Sequence, residues 1–304
     1  MQDARQSSRI VINTGGRRIV KTALAMLCLS ISGSVFASST QESISSPFIS
    51  EKTEANQQLI IKYVLHEAGV YDLLRQMPDL ITQEIVNLKA SAMPLTEAEL
   101  AQLRLNLKGR LQTSEMKQSI VSYLQSRMSE SELLAVKRML QAPNVMQFKQ
   151  LQEDADNEVA HGHMRSYKVQ LQENAPNKSR VALVERLDTS LGQTRLETGI
   201  KVELRKNLLA NVSWMKSSQV LPENVLEKEL AEYRERVGGH INENARVFYL
   251  YLFKKTPSKD IRGLISRYSN PEFETFMENC EGAILNSFKK ARRDAYSETT
   301  LAGN

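Results

Sequence analysis

A helix that stops at a proline, followed by a helix that starts there, occurs twice in this chain of 304 residues. Ser131-Glu132-Leu133, Ala142-Pro143 and Phe148 return, 128 positions later, as Lys259-Asp260-Ile261, Asn270-Pro271 and Phe276. Proline disfavours the α conformation in the residue before it, so one helix ends at Ala142 or Asn270. Proline itself suits the first helical position, where its missing N–H removes a donor that would go unpaired. Asn270 is a natural N-cap for the helix that follows. Ser129 with Glu132, and Ser258 after Pro257, begin the preceding helices, whose buried faces carry Val136 and Leu140, then Leu264 and Tyr268. Val145, Phe148, Leu151, Ala155 and Val159 predict one amphipathic helix after Pro143. Phe273, Phe276, Met277, Cys280, Ala283, Ile284 and Phe288 predict a longer one after Pro271.

The echo extends upstream. Ile60, Ile61, Val64, Gly69, Leu73, Met77, Ile81 and Ile85 coincide with Leu183, Val184, Leu187, Gly192, Leu196, Ile200, Leu204 and Leu208 at a shift of 123. Each glycine is a C-cap candidate, and Pro78 falls where it sits in a first helical turn or kinks the helix. Thr96-Glu97-Ala98-Glu99 reads as a capping box, leading to Leu100, Leu103, Leu107 and Leu111. Pro222-Glu223 opens the counterpart, with Val225, Leu226, Leu230 and Tyr233. The pattern predicts an all-α chain of two related helical-bundle repeats, about four to five helices each. They cover 57–173 and 180–296, separated by a linker at 174–179 that contains Asn174-Ala175-Pro176-Asn177-Lys178.

The first 37 residues read as a signal peptide. Arg17-Arg18-Ile19-Val20-Lys21 precede an apolar run from Thr22 to Phe36, and cleavage is expected near Ala37. The run falls short of the about 20 apolar residues a membrane span needs. Leu27 stands before Cys28 where a lipoprotein site requires a small residue. The paired arginines leave twin-arginine export as an alternative to the general secretory route. Residues 38–56 are Ser-rich and read as a flexible lead, and 297–304 as a disordered tail. Much of the formal charge of +5 resides in the leader, in residues such as Arg5, Arg17, Arg18 and Lys21, so a nucleic-acid partner loses its main support. Beyond the leader only Cys280 remains, and no intrachain disulfide can form there.

An acidic helix start, the turn Tyr268-Ser269-Asn270-Pro271, Phe276 and a long helix together resemble the secreted bacterial domain of unknown function 2059. The resemblance covers roughly 57–165 and 180–296. Leu140-Gln141-Ala142-Pro143 departs from it by replacing the aromatic residue and the serine. It implies an exported all-helical domain and brings no catalytic residues with it.

Few residues invite chemistry, and no catalytic, cofactor-binding or metal-binding residue is assigned. His161 and His163 lie two apart, whereas chelation from a helix wants i,i+3 or i,i+4. His66 and His240 sit in no motif. Cys280 falls on an apolar stripe, as a small core residue would. Asp154, Asp156, Glu97 and Glu99 read as helix-surface acids. Lys289, Lys290, Arg292 and Arg293 read as cations at a helix C-terminus, with contact to anionic lipid head groups as the alternative.

Val247-Phe248-Tyr249-Leu250-Tyr251-Leu252-Phe253 stands opposite Ser119-Ile120-Val121-Ser122-Tyr123-Leu124-Gln125 at the 128-residue shift. The two share one apolar face, but Val247, Leu250 and Phe253 replace Ser119, Ser122 and Gln125. That second face is expected to meet something its counterpart does not: the first repeat, a second chain, or a ligand or partner groove. A buried strand is the alternative for so apolar a run. Val247, Leu250, Phe253 and Trp214 are accordingly the candidate interaction surface.

The expected function is that of a non-enzymatic accessory or binding protein in the periplasm of a Gram-negative bacterium. It would act through apolar helical surfaces on an envelope protein or a second copy of itself, without a cofactor. One alternative is an envelope enzyme or metal-handling protein using Cys280 or His161 and His163. The other is a peripheral binder of anionic envelope lipids.

Overall fold

The computed structural model describes residues 47–89, 95–217, 219 and 221–302. In chain order the helices are α1 (Pro47–Glu67), α2 (Val70–Arg75), α3 (Met77–Lys89), α4 (Glu97–Arg110), α5 (Thr113–Arg127), α6 (Glu130–Leu140), α7 (Pro143–Asp154) and α8 (Glu158–Glu173). After the break at 174–177 come α9 (Lys178–Leu191), α10 (Gln193–Ser217), α11 (Glu223–Leu252), α12 (Ser258–Tyr268) and α13 (Pro271–Ala302). The described residues contain no strand, so the apolar run at 247–253 is the end of a helix rather than a buried strand. The stretch 1–37, expected to be a signal peptide, lies outside the described residues.

Local chemistry sets most of these boundaries. The Thr96 hydroxyl accepts from the Glu99 N–H at 3.2 Å while the Glu99 carboxylate accepts from the Thr96 N–H at 2.6 Å. Ser129 and Glu132 make the same reciprocal pair at the start of α6. Each pair satisfies two donors that a helix start leaves orphaned. Gly69 and Gly192 take the left-handed conformation, at φ 74° and 69°, which a Cβ would strain. Each carbonyl then accepts the first hydrogen bond of the next helix, from Leu73 and Leu196.

The first half is more broken than the second. Where α10 runs uninterrupted, α2 and α3 are separated at Gln76, ahead of Pro78. Where α11 is continuous, α4 and α5 part at Leu111–Gln112. The single amphipathic helix expected after Pro143 is two helices, because Asn157 restarts the chain by accepting from the Ala160 N–H at 2.9 Å. Val159 is therefore exposed, not on the core stripe, and Val225 is likewise exposed at the start of α11. Two flanks differ from expectation as well. Residues 47–56, read as flexible lead, form the first turns of α1, and 297–302, read as tail, continue α13.

All described helices belong to one compact unit. α1 packs on α5 and α6, and α9 packs on α11 and α12. The closing helices cross over: α7 and α8 lie against α12 and α11, while α13 lies against α5 and α6 as well as α10. Gly282 of α13 permits this approach, since a Cβ there would stand 3.3 Å from the Tyr123 hydroxyl of α5. One aromatic cluster seals the crossing. Phe148 of α7 is stacked 5.5 Å from Phe253 and lies edge-on 6.0 Å from Tyr268. Each such side chain contributes about 1.5–3 kcal/mol by leaving water.

Candidate functional site

The two prolines that stop α6 and α12 also place the starts of α7 and α13 beside one another's neighbours. Between them lies a cleft of about 610 Å³. Its small and apolar lining is Ala135 and Met139 from α6 and Gly263 from α12. Its polar lining is Arg138, Ser266, Arg267, Asn144 and Asn270. Arg138 and Arg267 stand in the last turns of their helices, where cations complement the dipole. Both are exposed, and neither guanidinium makes a hydrogen bond or ion pair with a described residue.

The two helix starts at the cleft differ. The Asn270 side chain accepts from the Glu272 and Phe273 N–H groups at 3.0 and 3.2 Å, which caps α13. α7 has Ala142 at its N-cap, no side-chain cap and no acid in its first turn. The Asn144 N–H, one of the donors a helix start leaves without an intrahelical acceptor, finds none among the described residues. The arrangement thus offers two guanidinium groups and an unspent backbone donor to whatever enters.

A second cleft, about 380 Å³, lies between α8, the 174–177 break and the end of α11. Its arginine is already committed. Arg180 donates to the carbonyl of Thr256 at 2.6 Å, to that of Phe253, and to the Ser258 hydroxyl at 3.2 Å.

The residues singled out in the sequence fall elsewhere, and most are internal. Val247, Leu250 and Phe253 are buried, at 6%, 3% and 1% exposure, so they are not open to a partner. At Phe253 and Leu250 the contacts come from the chain's own first half. Phe253 meets Phe148, and the Tyr167 hydroxyl of α8 donates to the Leu250 carbonyl at 3.4 Å. Trp214 is half-buried near the end of α10 and makes its own interactions. Cys280 is fully buried in α13, and burial pushes its thiol pKa up, away from the reactive thiolate. His161 and His163 stand in the first turns of α8, with His161 3.7 Å from Asp156. No group of three or more histidine, cysteine or acidic side chains suited to a metal occurs among the described residues.

The basic cluster divides. Lys289, Lys290 and Arg293 are exposed, but Arg292 is buried and donates to Glu203 of α10. Because α13 continues to Ala302, the cluster is not at a helix C-terminus and the dipole does not explain it. Nearby, Lys206 is 2% exposed and bonds Glu223 and Glu227 at the start of α11. Burial opposes its charge, but those hydrogen bonds and the negative charge of Glu203 outweigh it and raise the ammonium above its ordinary value. Glu84 of α3 and Tyr233 of α11 are also buried, and Glu84 Oε2 and the Tyr233 hydroxyl have no hydrogen-bond partner among the described residues. Burial, then the charge of Glu84, push the Tyr233 phenol up.

Nothing in the linear pattern marks the cleft, because its arginines lie in opposite halves and meet only in the folded chain. The one available signal is that Ala135 and Gly263 are small at matching places in the two proline-stopped helices. Comparison of the chain with protein-family models, with curated proteins and with solved structures finds no match to any of them.

Proposed function

We propose that this chain is an exported periplasmic accessory or binding protein made of two related helical units, and that it holds its partner in the cleft between α6 and α12. The cleft carries the reading, since of the two described openings it is the one whose arginines are unspent. Two related units are supported by the matched left-handed glycines Gly69 and Gly192. The corresponding packing of α1 on α5 and α6 and of α9 on α11 and α12 supports them too. The kinship with the domain of unknown function 2059 rests on Tyr268-Ser269-Asn270-Pro271 and Phe276. Export rests on the leader. No described helix is long and apolar enough to cross a membrane.

This proposal moves the binding surface away from Val247, Leu250 and Phe253 and toward polar recognition. The test is a photo-crosslinking residue placed at Ser266 in cells, with the same residue at exposed Leu105 as control. A discrete product from Ser266, lost when Arg138 and Arg267 are replaced together, supports the reading. Equal products from both positions, or none from Ser266, refute it. Fractionation with N-terminal sequencing tests export: a mature protein beginning near Ser38 is expected, and a cytoplasmic chain starting at Met1 overturns that part.

A further inference from the structure

We infer that the α6–α12 cleft recognises a phosphate monoester, an inference that rests on the binding-protein reading and names its ligand class. Arg138 and Arg267 come from helices in different halves, line the same opening and have no carboxylate partner among the described residues. Two guanidinium groups lining one opening match a dianion in charge, and the forked donors of each suit phosphate oxygens. A monoester phosphate carries close to two negative charges near neutral pH, whereas a carboxylate or a phosphodiester carries one. The Ser266 hydroxyl and the Asn144 and Asn270 side chains supply neutral groups around the same space. The uncapped start of α7 adds a backbone donor at Asn144.

Size points to an ester rather than the bare ion. A volume of about 610 Å³ leaves room for an organic portion beside Ala135, Met139 and Gly263. That portion belongs either to a small soluble alcohol or to the glycerol of a lipid head group, and the phosphate chemistry is common to both. Glu272 in the first turn of α13 is a countervailing charge. The Asn270 cap holds that helix start, so the anion's place is on the Arg138 and α7 side.

The experiment titrates the full-length processed protein with glycerol phosphate and, separately, with vesicles containing phosphatidic acid or, as the diester control, phosphatidylglycerol. Saturable binding of glycerol phosphate, weakened at least about tenfold by Arg138→Gln or Arg267→Gln, is the expected result for a soluble ester. Binding confined to phosphatidic acid vesicles and lost in the same variants assigns the lipid source. Lys228→Gln, at an exposed position on α11, is the control that leaves either signal unchanged. Ala142→Ser gives α7 the side-chain cap it lacks, and should raise the melting temperature while weakening phosphate binding. A merely structural role for this helix start does not produce opposite signs. No saturable binding of either probe, or binding indifferent to both arginine substitutions, overturns the inference. A Ser266 crosslink that persists in that case leaves the binding-protein reading standing, so the two failures are distinguishable.

Discussion

Truncating Phe148 to alanine tests whether the two halves stand or fall together. Phe148 belongs to α7 and is 1% exposed, yet its aromatic neighbours all come from beyond the 174–177 break. Removing a buried phenylalanine costs about 3–5 kcal/mol through lost transfer energy and the cavity left behind. Packing against Phe253, Tyr268 and Tyr249 adds aromatic pair energy of about 0.5–1.5 kcal/mol each beyond area, which places the expected loss at the upper end of that range. Against a total stability of about 5–15 kcal/mol this is a large fraction. For a domain of this size it corresponds to a fall of about 6–20 °C in Tm. The assay is urea unfolding followed by far-ultraviolet circular dichroism and by the fluorescence of Trp214, the chain's single tryptophan, which lies in the second half. Both probes should shift together, because a packing defect in the first half reaches a second-half reporter through the aromatic cluster. A double-mutant cycle with Phe253→Ala should return a coupling of about 0.5–1.5 kcal/mol. A loss below about 1 kcal/mol, or a Trp214 transition that stays put while the circular dichroism curve splits in two, refutes the reasoning.

Other substitutions read single features. Gly239 sits inside α11, and a Cβ there would meet no atom within 4 Å, so Gly239→Ala should stabilise by about 0.5–1 kcal/mol in chemical denaturation; a loss contradicts the helix assignment. Gly192→Ala should instead destabilise by about 1–2 kcal/mol, because its φ of 69° strains any Cβ; an unchanged midpoint disproves the left-handed turn. Lys206 has a raised pKa in the folded state, so its contribution is complete below its ordinary value of 10.5 and fades as pH rises through the higher folded value. Lys206→Met should change stability at pH 7 by about 1 kcal/mol or less, since Glu223 and Glu227 are largely exposed, while flattening the alkaline fall. Glu227 is lowered, first by its hydrogen bond to Lys206, so the same variant should also soften the loss of stability below pH 4.5. An unaltered pH profile rules out the pairing.

Features set by neighbouring residues were legible in advance. Thr96 with Glu99, Ser129 with Glu132, Gly69, Gly192 and the two prolines act over one helical turn, and each occupies its expected role. The apolar excess at Val247, Leu250 and Phe253 falls on a buried face, where Phe148 meets Phe253 and Tyr167 bonds the Leu250 carbonyl. Breaks inside α-helical patterns were harder to see. Asp156-Asn157 interrupts an apolar spacing that alone reads as continuous, and Val159 therefore turns outward. The start of α1 was hidden for the opposite reason: residues 47–56 lack the stripe by which a helix is usually recognised. Lys206 depends on how two successive helices pack, and the Arg138–Arg267 cleft on helices from opposite halves, so no rule confined to one helical turn contains them.

The crossing of the closing helices constrains the order in which the molecule can mature. Ribosomes deliver α5 and α6 long before α13, the helix that covers them, has been made. A nascent first half therefore carries a naked apolar flank that no intermediate length of polypeptide can hide. Folding to completion must await synthesis of α13, which suits the proposed export of a precursor kept unfolded until translocation is over.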